Sequence, residues 1–193
     1  MKKLFMALVV IVLVFVPAVT QAVVINFDDI PGGPSTRSWS GDRYLAQGVV
    51  FSTDGNFLGA FDAAYTNTQP TFVYGRSSFS RADKQVIAIF SSLTDFVSFY
   101  LADNDIGSGA SWKAEVFDSA NALLANQTGV TNDEILISFN FPGIKKLVFT
   151  PSSDYEGIDT LTFNAAVPEP AIMVLLGSGL LGLAGFVRRK LKK

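Results

Sequence analysis

Ile135-Leu136-Ile137-Ser138-Phe139-Asn140-Phe141 places Ile135, Ile137, Phe139 and Phe141 on one face of an extended chain. Successive side chains of a strand point to opposite sides, so this period of two marks a strand with one buried face. The pattern continues downstream. Leu147 and Phe149 alternate with Val148 and Thr150, and Leu161 and Phe163 alternate with Thr160, Thr162 and Asn164. Upstream, strands are expected over residues 23–27, 49–53, 71–74, 86–91, 95–101, 112–118 and 122–126.

Turn-forming stretches separate these segments: Pro31-Gly32-Gly33-Pro34, Asp54-Gly55-Asn56, Gly107-Ser108-Gly109 and Pro142-Gly143. Only residues 120–125 could compete as a helix, and they are too few to hold one. About ten short strands without a long helix indicate an all-β chain folded as an antiparallel β-sandwich. A jelly roll is the first choice and an immunoglobulin-like sandwich the second.

The ends of the chain are of a different kind. Lys2 and Lys3 precede 13 uncharged apolar residues, 4–16, which Pro17 breaks. At about 20 Å as a helix this run is short for a permanent span. Thr20-Gln21-Ala22 then offers the small residues a signal peptidase reads, so residues 1–22 are assigned as a signal peptide cut after Ala22. At the other end, residues 165–170 form a linker containing Pro168-Glu169-Pro170. Residues 171–187 carry no charge, and as a transmembrane helix of about 26 Å they would cross a thin bilayer. Residues 188–193 follow, where Arg188, Arg189, Lys190, Lys192 and Lys193 favour the cytoplasmic side. The domain between, residues 23–164, is therefore expected outside the cytoplasm.

The net charge of −2 conceals an uneven distribution, because seven of the 15 basic residues sit in the two ends. Residues 23–166 hold 8 basic and 16 acidic residues, a net charge of −8. Such a domain lacks the cation surplus that phosphate backbones demand, which argues against nucleic acid. There is no Cys and no His. Disulfides, the usual zinc sites, Cys nucleophiles and Ser-His-Asp triads are thereby excluded. Any catalysis would have to use carboxylates, Tyr, Lys or Arg.

Val167-Pro168-Glu169-Pro170, the glycine-rich apolar span and the basic end, in that order, resemble the PEP-CTERM sorting signal of exported bacterial proteins. The resemblance implies retention in the membrane through the tail and cleavage near Pro-Glu-Pro by an exosortase-type membrane protease. It also implies a final place at the cell surface or in the extracellular matrix of bacteria that make exopolysaccharide. Three further segments resemble the opening and closing strands of exported β-sandwich proteins of this class. They are Ile25-Asn26-Phe27-Asp28-Asp29, then Tyr44 with Gly48, Val49 and Phe51, and Gly157-Ile158-Asp159-Thr160-Leu161-Thr162-Phe163. More distantly they resemble galactose-binding-like jelly rolls. The likeness implies that first and last strands are neighbours, bringing Asp28 or Asp29 towards Asp159.

Two sites are expected from these residues. Asp28, Asp29 and Asp159, with Glu156, would hold a structural Ca2+, since calcium takes six to eight hard oxygens. The competing reading makes Asp28 and Asp29 turn residues that accept local backbone hydrogen bonds. Asp103-Asn104-Asp105 opens like an EF-hand loop, but Ala114 stands where the bidentate Glu is required, and the match fails. The second site is aromatic. Trp39, between Arg37-Ser38 and Ser40-Gly41-Asp42-Arg43, is the expected exposed ring for stacking on a sugar, while Trp112 opens an alternating strand and is expected in the core. The function expected is a non-enzymatic binding or structural component, contacting exopolysaccharide. The alternative is a carboxylate-dependent glycoside hydrolase or lyase, for which no acid pair stands out in the sequence.

Overall fold

The computed structural model describes residues 20–30, 37–62, 71–76, 84–103, 110–131, 134–152 and 156–166. Its strands are β1 (Thr20–Ile25), β2 (Arg37–Trp39), β3 (Val49–Ser52), β4 (Phe57–Asp62), β5 (Thr71–Arg76), β6 (Val86–Asp103), β7 (Ala110–Phe117), β8 (Leu123–Thr131), β9 (Ile135–Pro151) and β10 (Glu156–Ala166). One 3-10 turn, Leu45–Gln47, precedes β3. The hydrogen-bonded path runs β2-β4-β5-β10-β6-β9-β7-β8, with β1 beside β10 and β3 beside β6. The pairings of β2 through β10 are antiparallel. The molecule is an antiparallel β-sandwich, and residues Ala22–Ala165 form one compact unit.

One continuous sheet becomes two layers because β6 and β9 are long and bent. The first half of β6 pairs with β3 and with the second half of β9, as in Ala88↔Phe51 and Ala88↔Leu147. Its second half pairs with the first half of β9 and with β10, as in Leu101↔Ile135 and Leu101↔Ile158. Register shifts between Ile89 and Phe96 mark the bend in β6. Thr94, 3 % exposed, satisfies the backbone there: its hydroxyl donates to the Phe96 carbonyl at 2.8 Å and accepts from Asn164 N–H at 3.2 Å. Bulges of this kind bend a strand and strengthen its twist.

The bend brings aromatic side chains of the two layers into contact. Phe90 meets Phe163 at 4.9 Å between ring centres, and Phe99 meets Phe149 at 5.8 Å. Both distances lie in the range favoured by aromatic pairs. Val97, Leu101, Ile137, Phe139, Ile144, Leu147, Ile158 and Leu161 belong to the same buried core.

The segments expected as separate strands over 86–91 and 95–101 are thus one 18-residue strand, and 135–141 joins 147–150 in one of 17 residues. Pro142-Gly143, read as a turn, is a bend inside β9, with Gly143 at φ 84°. Phe141 sits at that bend and is 40 % exposed, so it leaves the face that Ile137 and Phe139 keep. β4 carries buried Leu58, Gly59 and Ala60 in succession, which is why alternation does not reveal it. β1 begins within the expected signal peptide. A cut after Ala22 would leave Val23, Val24 and Ile25 of that strand.

The rest of the signal segment and residues 167–193, with the expected transmembrane helix and basic tail, lie outside the described residues. Among the described residues, no helix is long and apolar enough to cross a membrane.

Candidate functional site

The chain leaves β1 through a tight turn in which Ile30 N–H donates to the Phe27 carbonyl at 2.9 Å. Phe27 adopts φ 60°, a left-handed conformation that costs a bulky residue about 1–3 kcal/mol. Its ring offsets the strain by complete burial. It packs on Tyr44 and Phe51 at 5.5 Å each and on Trp39 at 6.5 Å. The turn projects Asp28 and Asp29 outward, in different directions.

Asp29 is tied to the segment that follows β2. Its carboxylate accepts from Arg43 Nε at 2.9 Å and from the Tyr44 hydroxyl, and its carbonyl accepts from Arg43 Nη2 at 2.5 Å. Burial works to raise its pKa, but the hydrogen bonds from Tyr44 and Arg43 and the charge of Arg43 together hold it below the usual carboxylate range. The Tyr44 hydroxyl is pushed up by burial and by Asp29. A carboxylate with a depressed pKa contributes stability at neutral pH that is lost as pH falls through the depressed value. Asp29→Asn is therefore expected to flatten the acid side of the melting-temperature profile below about pH 4, the region near its ordinary value.

Asp28 has the opposite character. Partial desolvation and the negative charges of Asp159 and Asp29 raise its pKa, and the hydrogen bond from Asn26 Nδ2 at 2.6 Å offsets this in part. The proximity of Asp28 to Asp159 agrees with the pairing of β1 with β10. Asp159 is fully buried and accepts from the Thr160 hydroxyl at 3.0 Å. Thr160, at φ 43°, lies where β10 shifts register against β6. A left-handed β-branched residue is an uncommon conformation, here held in place by the pairing on both sides of the bulge.

The four acids expected at a calcium site do not gather together. Glu156 is buried at the start of β10 and accepts from Ser152 N–H at 3.2 Å, while Asp29 is engaged by Arg43 and Tyr44. Among the described residues, no group of three or more His, Cys, Asp or Glu is placed to hold a metal ion. The arrangement reduces to two carboxylates, Asp28 and Asp159, whose like charges oppose each other. Arg43 had no signal in the sequence, because its partner is 14 residues away across a turn and a strand.

The aromatic site also differs from expectation. Trp39 is half-buried, with Tyr44 at 6.0 Å and Phe51 at 5.6 Å, and its indole N–H donates to the Gly59 carbonyl at 3.2 Å. An exposed flanking sequence suggested an exposed ring, but β2 pairs with β4 and folds the ring onto the core. Tyr44, Tyr74 and Trp112 are buried too, at 3 %, 1 % and 7 % exposure, and Trp112 occupies the core position its strand pattern predicts. Trp39→Ala is accordingly expected to destabilise the domain by about 2 kcal/mol through lost packing. A denaturant titration checks this, and an unchanged midpoint would show that the ring is not part of the core.

Residues 166–190 match the PEP-CTERM protein-sorting motif. The chain thus carries a C-terminal signal that marks it for export, for membrane anchoring before processing and for recognition by an exosortase-type membrane protease. No curated protein sequence matches the chain. Among solved structures it is similar to the K2 cleaved adhesin domain of Lys-gingipain, with a TM-score of 0.50 and 12 % identity, covering 74 % of this chain and 99 % of that one. The K1 cleaved adhesin domain of Lys-gingipain from Porphyromonas gingivalis W83 gives 0.45 and 15 %, covering 77 % and 99 %. A family 6 carbohydrate-binding module gives 0.35 and 14 %, covering 58 % and 85 %. At these identities the likeness concerns the fold alone.

Proposed function

We propose that this chain is a non-catalytic component of the bacterial surface or extracellular matrix, delivered by its sorting signal and acting through the β-sandwich. One observation carries the reading: the sorting motif, at residues 166–190, starts where β10 ends. The sandwich is therefore the part of residues 23–166 that reaches the exterior, and its chemistry is the function. An acidic surface without Cys or His suits neutral or cation-bridged polysaccharide better than nucleic acid. The adhesin role printed for the Lys-gingipain domains is of the same kind.

Calcium belongs to this proposal through Asp28 and Asp159. Two opposed carboxylates are donors whose repulsion a divalent cation would neutralise. Asp28→Asn removes the repulsion, so without calcium the variant is expected to melt at or above the wild-type temperature. Saturating calcium, at about 100 times its dissociation constant, stabilises a binding fold by about 2.7 kcal/mol, and that gain is expected in the wild type but not in the variant. Equal melting of the wild type with calcium and with chelator would remove the metal.

The binding role is tested with a polysaccharide array and a hydrolysis assay on the same glycans. Retention without turnover is the expected result. Turnover abolished by one Asp or Glu substitution would overturn the non-catalytic reading.

A further inference from the structure

β8 ends the sheet path, and among the described residues its hydrogen-bonded neighbour is β7 alone. Its other side presents backbone N–H and C=O groups outward, a template for another strand. Native sheets blunt such edges with short strands, charges, prolines or bulges. β8 has one such device, a register shift opposite Val116 and Phe117 that places an extra residue at Leu124. Beyond it the register is unbroken. Ala125-Asn126-Gln127-Thr128-Gly129-Val130-Thr131 contains neither a charge nor a proline, and it extends about 23 Å. No side chain from 123 to 130 is buried, and Val130 is 69 % exposed.

The other edges are shorter: β3, beside β6, has four residues, and a cut after Ala22 would leave three of β1. β2, at the far end of the path, has three residues. Where the first half of β9 borders the sandwich, Gln127 Nε2 covers the Ser138 carbonyl at 2.7 Å.

Charge identifies the occupant. The domain carries a net charge of −8, so a second copy is repelled over most of its surface. Beside β8 the charges cancel. Lys113 and Glu115 of β7 pair at 2.8 Å, and Lys146, 4.4 Å from the Phe117 ring centre and donating to Asn121 Oδ1 at 2.8 Å, is offset by Asp118 in the turn before β8. A cationic partner would be drawn to the acidic surfaces instead, whereas two copies of this chain meet here without opposing charges. Anchoring before processing also confines copies to one membrane, which raises their effective concentration.

We propose that β8 pairs antiparallel with β8 of a second copy about a twofold axis near Thr128, joining two sandwiches through one continuous sheet. Such isologous pairing sets each residue i against its own copy only at the axis, and Asn126 faces Val130 of the second copy. The pairing does not depend on which ligand the domain binds.

The chain has no cysteine, so a single introduced thiol reports on one position. Thr128→Cys, Asn126→Cys and, as an exposed control, Ser119→Cys are made in the full chain in detergent and oxidised. Thr128→Cys is expected to form dimer about tenfold faster than the other two, because only thiols whose Cα atoms lie within about 7 Å can bridge. Adding Val130→Lys, at an exposed position, is expected to reduce that dimer about tenfold by charging the edge. Association through the apolar tail, or random collision, would cross-link Ser119→Cys as well as Thr128→Cys. Equal rates at all three positions, or indifference to Val130→Lys, would overturn the proposal.

Discussion

A chain with Pro168, Glu169 and Pro170 all replaced by alanine is expected to remain at full length in the membrane fraction, with the cleaved product reduced by about tenfold or more. The reasoning rests on backbone chemistry. Proline locks φ near −65° and removes a donor, so a Pro-Glu-Pro sequence disfavours helix directly before the uncharged run of 171–187. Alanine is the strongest helix former and would let that run propagate backwards through the processing position. A protease acts on an extended segment presented in register, and it discriminates by contacts that the substituted residues no longer make. Immunoblots of membrane and released fractions, in a host supplying the protease, check the outcome. A cleaved fraction equal to that of the wild type would show that the triplet is a spacer rather than a recognition element. Folding of the sandwich is expected to be untouched, because the triplet lies beyond β10.

Phe149→Ala is expected to have the largest effect on stability, about 3–5 kcal/mol, with loss of the folded domain near physiological temperature. Phe149 is fully buried and stacks edge-on with Phe99 of the opposite layer, so the substitution opens a cavity where the layers meet. A domain of this size has about 5–15 kcal/mol in total. No disulfide supplements the core, because the chain has no cysteine. The measurement is a denaturant midpoint together with near-ultraviolet circular dichroism. In a double-mutant cycle with Phe99→Ala, the coupling is expected to be about 0.5–1.5 kcal/mol, the value of an aromatic pair beyond its area. Additive losses would mean that the two rings do not act as a pair.

Much of the fold was legible because strand patterning is local. The alternation at Ile137 and Phe139, at Leu147 and Phe149, and at Leu161 and Phe163 records which side chains face the core, and each of these residues is buried. The pattern does not record where one strand stops. The bend at Thr94 is stabilised by Asn164, 70 residues later, and the residues around Pro142-Gly143 bulge between the pairs Thr94↔Ile144 and Phe96↔Asn140 without ending β9, so alternation alone shows both long strands as broken ones. The candidate site was legible only in part. Adjacent Asp28 and Asp29 looked equivalent, yet one is within reach of the charge of Asp159 and the other is bonded to Arg43 and Tyr44, with opposite pKa displacements. Trp39 looked exposed because its neighbours are polar, and pairing across to β4 reversed that.

The amino-acid order alone determined that this protein carries a sorting signal at residues 166–190, because sorting machinery reads linear features: prolines, an apolar run and basic residues in a set order. It determined the β class as well, through a period of two. Which carboxylates influence each other and which rings are buried were decided only when distant segments came together. Those outcomes depend on desolvation and Coulomb interactions between residues that share no local pattern.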